Sequence, residues 1–298
     1  MTNRSDIRTQ GIVFSAAAWL CVLLGLLLPR ASPHAELLVL SFAILVLGVP
    51  HGALDIVFGQ QIWHIRSRSG WVVFLAFYVA LAACVVALWL LAPSIFLTTF
   101  LLASVFHFSG DPEGETPATV RALYGGLVIV LPALFHMQEV AALFAHLVDV
   151  EAAAKLSNGL RVLAVPWLVA TLLAAGLRAR KNQLASLEMI SVAALALWAP
   201  PLVAFTVFFC GMHGARHILR TRKYAVNGAF KNLSWVALGP MLATVAGLLI
   251  GWQFLQTTSV DARVVQLLFV MLAALTVPHM LLVDGLRFTV QGAYGKGA

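Results

Sequence analysis

His213-Gly214-Ala215-Arg216-His217 sets two imidazoles four residues apart in an otherwise apolar stretch. On an α-helix that spacing puts both rings on one face, with a rise of about 6 Å between them, so both can reach one ion held between helices. Pro50-His51-Gly52-Ala53-Leu54-Asp55 and Phe106-His107-Phe108-Ser109-Gly110-Asp111 each embed a further His in an apolar run, and Pro278-His279-Met280-Leu281-Leu282-Val283-Asp284 embeds a fifth. Ionisable groups in hydrocarbon are expensive, about 2.5 to 3.5 kcal/mol for an Asp at mid-helix on insertion scales, so residues of this kind mark function. The remaining histidines, His34, His64, His136 and His146, fall in loops or at interfaces, where a solvated ring is the plain reading.

Metal-bound imidazoles usually donate their second N–H to a carboxylate or a carbonyl, which fixes the tautomer. Asp55, Asp111 and Asp284 each follow an embedded His by about one turn and are candidates for that role, with Asp55 expected to orient His51. The competing reading is that they end helices and pair with arginines such as Arg66 and Arg287. For Asp111, in an acidic loop with Glu113 and Glu115, that second reading is preferred. Pro50 removes a backbone donor and leaves the Val46 carbonyl without its usual partner, which loosens the helix beside His51. Gly52 is expected to leave room next to the same ring. Phe205, Phe208 and Phe209 precede His213, and Phe106 and Phe108 flank His107. These rings could line a slot for a long apolar molecule, with lipid contact or core packing as the alternative.

The elements that must position these residues are membrane helices. Hydrophobic residues make up 61% of the chain and charged ones 10%, whereas soluble domains carry about 25% charged residues. The expected fold is all-α, a polytopic helix bundle forming a single membrane domain over residues 1–298. A net charge of +7 would suit a nucleic-acid partner only if it gathered on a soluble face, and no loop is long enough to build one. Cys21, Cys84 and Cys210 lie in apolar runs without metal-type spacing, so a disulfide framework is excluded and each reads as a small buried hydrophobe. The apolar run after Arg4 and Arg8 is longer than a signal-peptide core and is read as an uncleaved first helix.

A spanning helix needs about 20 apolar residues. Ten candidates run approximately over 11–28, 36–57, 71–92, 94–109, 119–135, 160–177, 184–199, 201–220, 233–254 and 262–284. The divisions at Pro93 and at Pro200-Pro201 are the weakest, so eight or nine spans remain compatible with the pattern. With the N-terminus inside, the inner loops collect Arg66, Arg68, Arg121, Arg178, Arg180, Lys181, Arg220 and Arg222 among others, while the outer loops keep Arg30, Lys155, Arg161 and Arg263. That asymmetry favours an N-in, C-in arrangement in the cell inner membrane. Residues 136–159 read as an amphipathic helix lying at the outer interface. On this topology all five embedded His share one depth, near the inner face.

Imidazoles alone suit Zn, Cu, Fe or Ni. A zinc hydrolase would want the H-E-x-x-H helix, which is absent, and the di-iron membrane desaturases use more His than five. Three readings stay open. A mononuclear iron centre on His51, His107, His213 and His217 would keep positions free for dioxygen and suit oxidation of an apolar substrate. A bis-His haem electron carrier competes, as does a metal transporter, although the outer halves of these helices lack the polar path a transporter needs.

The four motifs quoted above, in that order and over most of the chain, resemble the Brp/Blh family of bacterial and archaeal membrane beta-carotene dioxygenases, which make retinal for rhodopsins. The resemblance implies Fe(2+) held by the four His that match His51, His107, His213 and His217. It implies cleavage of the central double bond of beta-carotene, or of a related carotenoid, by dioxygen to two retinal molecules. Membrane lipids and a retinal-binding rhodopsin are the further partners it suggests. It assigns no ligand role to His279, which stays with Asp55, Asp284, Phe108, Phe205 and Phe209 as a candidate to support the ligands or face the substrate.

Overall fold

The computed structural model describes residues 4–225, 233–255 and 259–294, and among these every regular element is helical. In chain order the α-helices are α1 (Arg4–Leu27), α2 (Pro33–Ala43), α3 (Asp55–Trp63), α4 (Arg68–Leu91), α5 (Pro93–Phe108), α6 (Ala118–Val130) and α7 (Pro132–Phe135). They continue as α8 (Met137–Ala145), α9 (Val150–Ala179), α10 (Gln183–Trp198), α11 (Pro201–Val207), α12 (Ala215–Ala225), α13 (Leu233–Phe254) and α14 (Val260–Tyr294). Local chemistry sets many of the boundaries. Ser32, Ser67, Asp149 and Asn182 each turn a side-chain oxygen onto the backbone N–H three residues on, capping the helix that follows. Pro33, Pro93, Pro132 and Pro201 occupy first-turn positions, where the missing N–H costs nothing.

Among the described residues eight helices are long and apolar enough to cross a membrane, and the protein is a helical membrane bundle. The expected fourth and seventh spans are α5 and α10, each of 16 residues. At 1.5 Å per residue they reach about 24 Å, short of the roughly 30 Å hydrocarbon core, which is why they separate from the other eight. α4 and α13 bury nothing in their most apolar windows and form the outermost layer. The centre is built from α5, α6, α10 and α11 with the middle of α14, around buried Phe96, Leu97, Leu127, Leu195, Phe208 and Met212.

One expectation is corrected here. Residues 136–159 do not form one helix. α8 ends at Ala145, a turn follows, and α9 starts at Val150, ten residues before the expected span, running 30 residues in all. Asp149 caps α9 through the Ala152 N–H and the Glu151–Lys155 pair lies on its exposed first turns, while His136 and Glu139 sit at the start of α8.

The two ends of the bundle have distinct chemistry. At one end Arg30 pairs with Glu139 at 2.8 Å and His34 with Asp261 at 2.5 Å. The α8–α9 turn belongs to this end, with Trp89 Nε1 donating to the Leu147 carbonyl and Gln266 Nε2 to that of His146. At the other end Gln10, Asp111, Glu188, Arg216 and Arg220 converge. The loops grouped by charge as outer and inner thus separate to opposite ends of the molecule.

Candidate metal centre

His51 enters the bundle through two departures from α-helical geometry. Ile44–Gly48 is a π-helical turn in which the Val49 N–H donates to the Ile44 carbonyl, five residues back, and Val49–Leu54 is 3-10 helical with Pro50 in its first turn. His213 lies in a second π-helical segment, Phe208–Gly214. Turns of this kind are rare and recur at functional sites. His107 comes from the last turn of α5, His217 from α12, and His279 from the residue after Pro278 inside α14.

These elements bring all five embedded imidazoles into one cluster. Ring centroids lie 4.8 Å apart for His51 and His213, 4.5 Å for His107 and His213, 5.1 Å for His107 and His279, and 4.9 Å for His217 and His279. His51 stands 5.4 Å from both His217 and His279. His213 and His217, on one helix face as their spacing requires, are 6.4 Å apart. None of the five is more than 7% exposed. Ring nitrogens of His51, His107 and His279 all lie within 4.8 Å of one another.

The outward nitrogens are engaged. His279 Nδ1 lies 2.5 Å from Asp55 Oδ1, and the Tyr78 hydroxyl donates to the other Asp55 oxygen at 2.9 Å. His213 Nδ1 is 3.1 Å from both oxygens of Asp111, and His51 Nδ1 is 2.5 Å from the Gly48 carbonyl. A carbonyl or an ionised carboxylate can only accept, so in each pair the proton sits on Nδ1 and the Nε2 lone pair is left free. Nε2 of His213, His217 and His279 is buried and has no hydrogen-bond partner. A buried nitrogen left unpaired costs about 1–3 kcal/mol. Three of them in one cluster, two with tautomers set to present lone pairs, match what a divalent transition metal requires of its ligands.

Asp111 is held from the opposite side by arginines. Arg216 Nη1 and Arg220 Nη2 donate to its backbone carbonyl at 3.2 and 2.7 Å. Arg216 is fully buried and forms an ion pair with Glu188 at 2.6 Å, while its Nε donates to Gln10 Oε1. Arg121 fastens the same loop, donating to the carbonyls of Ser109, Pro112, Gly114 and Thr116. Burial by itself would push the Asp111 carboxyl up, but His213 and the guanidinium groups of Arg220 and Arg216 hold it below the usual carboxylate range.

Several expectations change. Asp55 serves His279 rather than His51, because the π and 3-10 turns direct the His51 ring onto the Gly48 carbonyl within its own helix. Asp111, read as a loop residue, is buried against His213. His279 belongs to the cluster. Asp284 lies in α14 by its backbone, but its side chain is outside the described residues. Gly52 has open space where a Cβ would sit. The room beside His51 comes instead from Gly214, whose Cβ would lie 3.4 Å from His51 Nδ1, and from Gly48, whose Cβ would lie 2.4 Å from the Phe209 ring. Glu188 and Tyr78 drew no notice in the sequence. A Glu inside an apolar helix was the available signal for the first, and nothing marked the second.

Of the aromatics, Phe209 stacks on His213 at 18° with centroids 5.8 Å apart and meets His51 edge-on at 5.2 Å. Phe205 stacks on Phe209, and Phe108 meets His213 edge-on at 4.9 Å. Phe106 is 47% exposed on the outside of the bundle and takes no part. A small cavity reaches His107 and is walled by Phe108, Phe205, Phe209, Leu272 and Thr276. It adjoins a larger apolar cleft, with which it shares Phe100, Ser104 and Phe205.

Comparison with known proteins agrees with this chemistry. Residues 42–287 match the family model described as beta-carotene 15,15'-dioxygenase. The chain is similar to a beta-carotene 15,15'-dioxygenase from uncultured marine bacterium 66A03, 30% identical over 251 residues, covering 81% of this chain and 90% of the relative. No solved structure matches it. A match over most of the sequence, spanning all five clustered histidines, establishes that the chain belongs to the beta-carotene 15,15'-dioxygenase family.

Proposed function

We propose that the protein cleaves the central double bond of beta-carotene with dioxygen and releases two molecules of retinal, using Fe(2+) bound by the histidine cluster. The observation that carries this reading is the group of buried Nε2 atoms without partners, set beside an apolar cleft in a chain of this family. The ligands are drawn from His51, His107, His213 and His217, and His279 joins them because its Nε2 is equally unpaired. Bound iron supplies the redox chemistry that allows ground-state dioxygen to react with a polyene. The balance is closed: one dioxygen and one carbon–carbon double bond give two carbonyl groups, both oxygen atoms enter the aldehydes, and no external reductant is consumed.

The chain's own residues set the conditions. Asp55 and Asp111 keep protons on the Nδ1 atoms of His279 and His213, so these rings face inward as neutral donors. Phe108, Phe205 and Phe209 exclude water and offer flat apolar surfaces to a polyene beside His107 and His213. Substrate arrives laterally from the lipid of the cell inner membrane, with the histidine cluster toward the cytoplasmic face, and retinal passes to a rhodopsin. Five buried imidazoles gathered in one cluster, three of them with ring nitrogens within 4.8 Å of one another, favour a single ion over haem held by two imidazoles.

The test is expression in a bacterium that accumulates beta-carotene. Loss of the orange colour with retinal in the extract, and stoichiometric iron in the purified protein, is the expected result. A Soret band without retinal would transfer the protein to the electron-carrier class, and metal flux into proteoliposomes without carotenoid turnover to the transporters.

A further inference from the structure

The cavity at His107 and the larger cleft share Phe100, Ser104 and Phe205 in their walls and follow one another along three helices that run in the same sense. On α5 the lining passes from Leu97 to His107, on the helix containing α11 from Pro201 to Phe209, and on α14 from Phe269 to Thr276. Ten residues of α5 separate Leu97 from His107, about 15 Å at 1.5 Å per residue. That is of the order of one arm of a carotenoid, measured from its central double bond to its ring. The lining is apolar throughout: apart from His107, Ser104 and Thr276 are the polar side chains on it, and Ser104 donates its hydroxyl to the Phe100 carbonyl.

At its outer end the path meets α8, which presents Val140, Leu143 and Phe144, with Leu147 just beyond. Both ends of this short helix are fastened. His136 Nε2 lies 3.1 Å from the Leu197 carbonyl at its start. Trp89 and Gln266 donate to the carbonyls of Leu147 and His146 in the turn after it. A nine-residue helix has little stability of its own, and these three tertiary hydrogen bonds hold it in place.

We propose that this cleft is the binding site for one arm of the carotenoid, and that Val140, Phe144 and Leu147 form an end stop which determines which double bond lies at the imidazoles. The proposal rests on the carotenoid-cleaving reading above and adds to it the residues that select the bond. A symmetrical polyene needs only one such stop. When the ring abuts α8, the distance along the cleft sets the central bond beside His107, and each carbon of that bond takes one oxygen atom of the dioxygen consumed.

Two variants that shift the ring in opposite directions test it. In Phe144→Ala the ring advances into the vacated space and the reacting bond moves off centre, so beta-carotene in detergent micelles gives pairs of unequal apocarotenals alongside a reduced share of retinal. In Val140→Phe the ring stops early, KM for beta-carotene rises, and residual cleavage also leaves the centre; because the polyene is symmetrical the unequal products are the same, and the rise in KM separates this variant from Phe144→Ala. Chromatography of the aldehydes reads both, and iron content per chain confirms that each variant is folded at the metal site. Retinal as the sole product of both variants, with KM unchanged, overturns the proposal while leaving the carotenoid-cleaving reading intact. Wild-type protein that makes no aldehyde from beta-carotene instead fails the underlying reading.

Discussion

His279 Nδ1 and Asp55 Oδ1 lie 2.5 Å apart although 224 positions separate the two residues in the chain. The carboxylate is held in turn by Tyr78, so a helix end, a neighbouring helix and the long α14 converge on one imidazole proton.

Breaking that pair weakens the metal. Asp55→Asn removes the charge while keeping the shape, and loss of an outer partner of a ligating His costs about 10- to 100-fold in metal affinity. Competition with a chelator of known affinity measures it. Tyr78→Phe gives a smaller loss in the same direction.

His279→Ala distinguishes a ligand from a bystander. Iron retention through gel filtration should fall as far as in His51→Ala and His107→Ala, because the three offer nitrogens within 4.8 Å of one another. Retention at the wild-type level would return His279 to a structural role.

The Glu188–Arg216 pair is fully desolvated on the arginine side. Removing one partner of a buried pair costs about 3–5 kcal/mol because the other charge is stranded. Glu188→Leu therefore lowers the unfolding midpoint in detergent sharply. The double variant with Arg216→Met recovers part of the loss, the remainder reflecting the hydrogen bonds of Arg216 to Gln10 and Asp111.

Two glycines four residues apart behave differently. Gly48→Ala drives a methyl group against the Phe209 ring and costs about 1–3 kcal/mol, with displacement of the ring stacked on His213. Gly52→Ala meets nothing within 4 Å and stays within about 0.5 kcal/mol of wild type. Thermal unfolding and iron content of the two variants check the contrast.

Acid should loosen the outer end. Partial burial pushes the Glu139 carboxyl up, but hydrogen bonds from Arg30 and His136 outweigh it and hold the group below its ordinary range. A depressed carboxyl contributes stability above its unfolded value and loses it as pH falls through the folded one. Hydrogen-exchange protection in α8, taken relative to the intrinsic rate at each pH, therefore falls as pH drops below the carboxylate range, by a modest amount since the Arg30 and Glu139 side chains are 54% and 41% exposed. In Glu139→Gln this pH dependence disappears.

The sequence made the histidine cluster legible because burying an imidazole in lipid is costly enough to be rare, and a shared depth is a property of spacing and span count alone. His51, His107, His213 and His217 could be grouped on that ground before any coordinates. The carboxylate partners could not. Spacing along one helix suggested Asp55 for His51, but a switch from π to 3-10 winding within Ile44–Leu54 redirects both side chains. Asp111 looked solvated because its neighbours Glu113 and Glu115 are acidic, and only the inward reach of Arg216 and Arg220 buries it. α8 was obscured for a related reason: its short helix is held by bonds from Trp89 and Gln266, residues remote in sequence.

The π-helical turns that deliver His51 and His213 carry a length requirement with them. Each accommodates one residue more than an α-helix would over nearly the same rise, so deleting a single residue there lets the turn rewind as α-helix and removes the local bulge that sets the neighbouring rings. A deletion at Leu47 would remove the wide turn that ends at Gly48, whose carbonyl holds His51, and one at Gly211 would shorten the spacing between Phe209 and His213, which stack on each other. Both spans would remain apolar, long enough to insert, and silent by composition. The arrangement of the histidine cluster is therefore guarded by residue number as well as by residue type, and chains that gain or lose one amino acid in these turns would keep the membrane fold while disturbing the cluster.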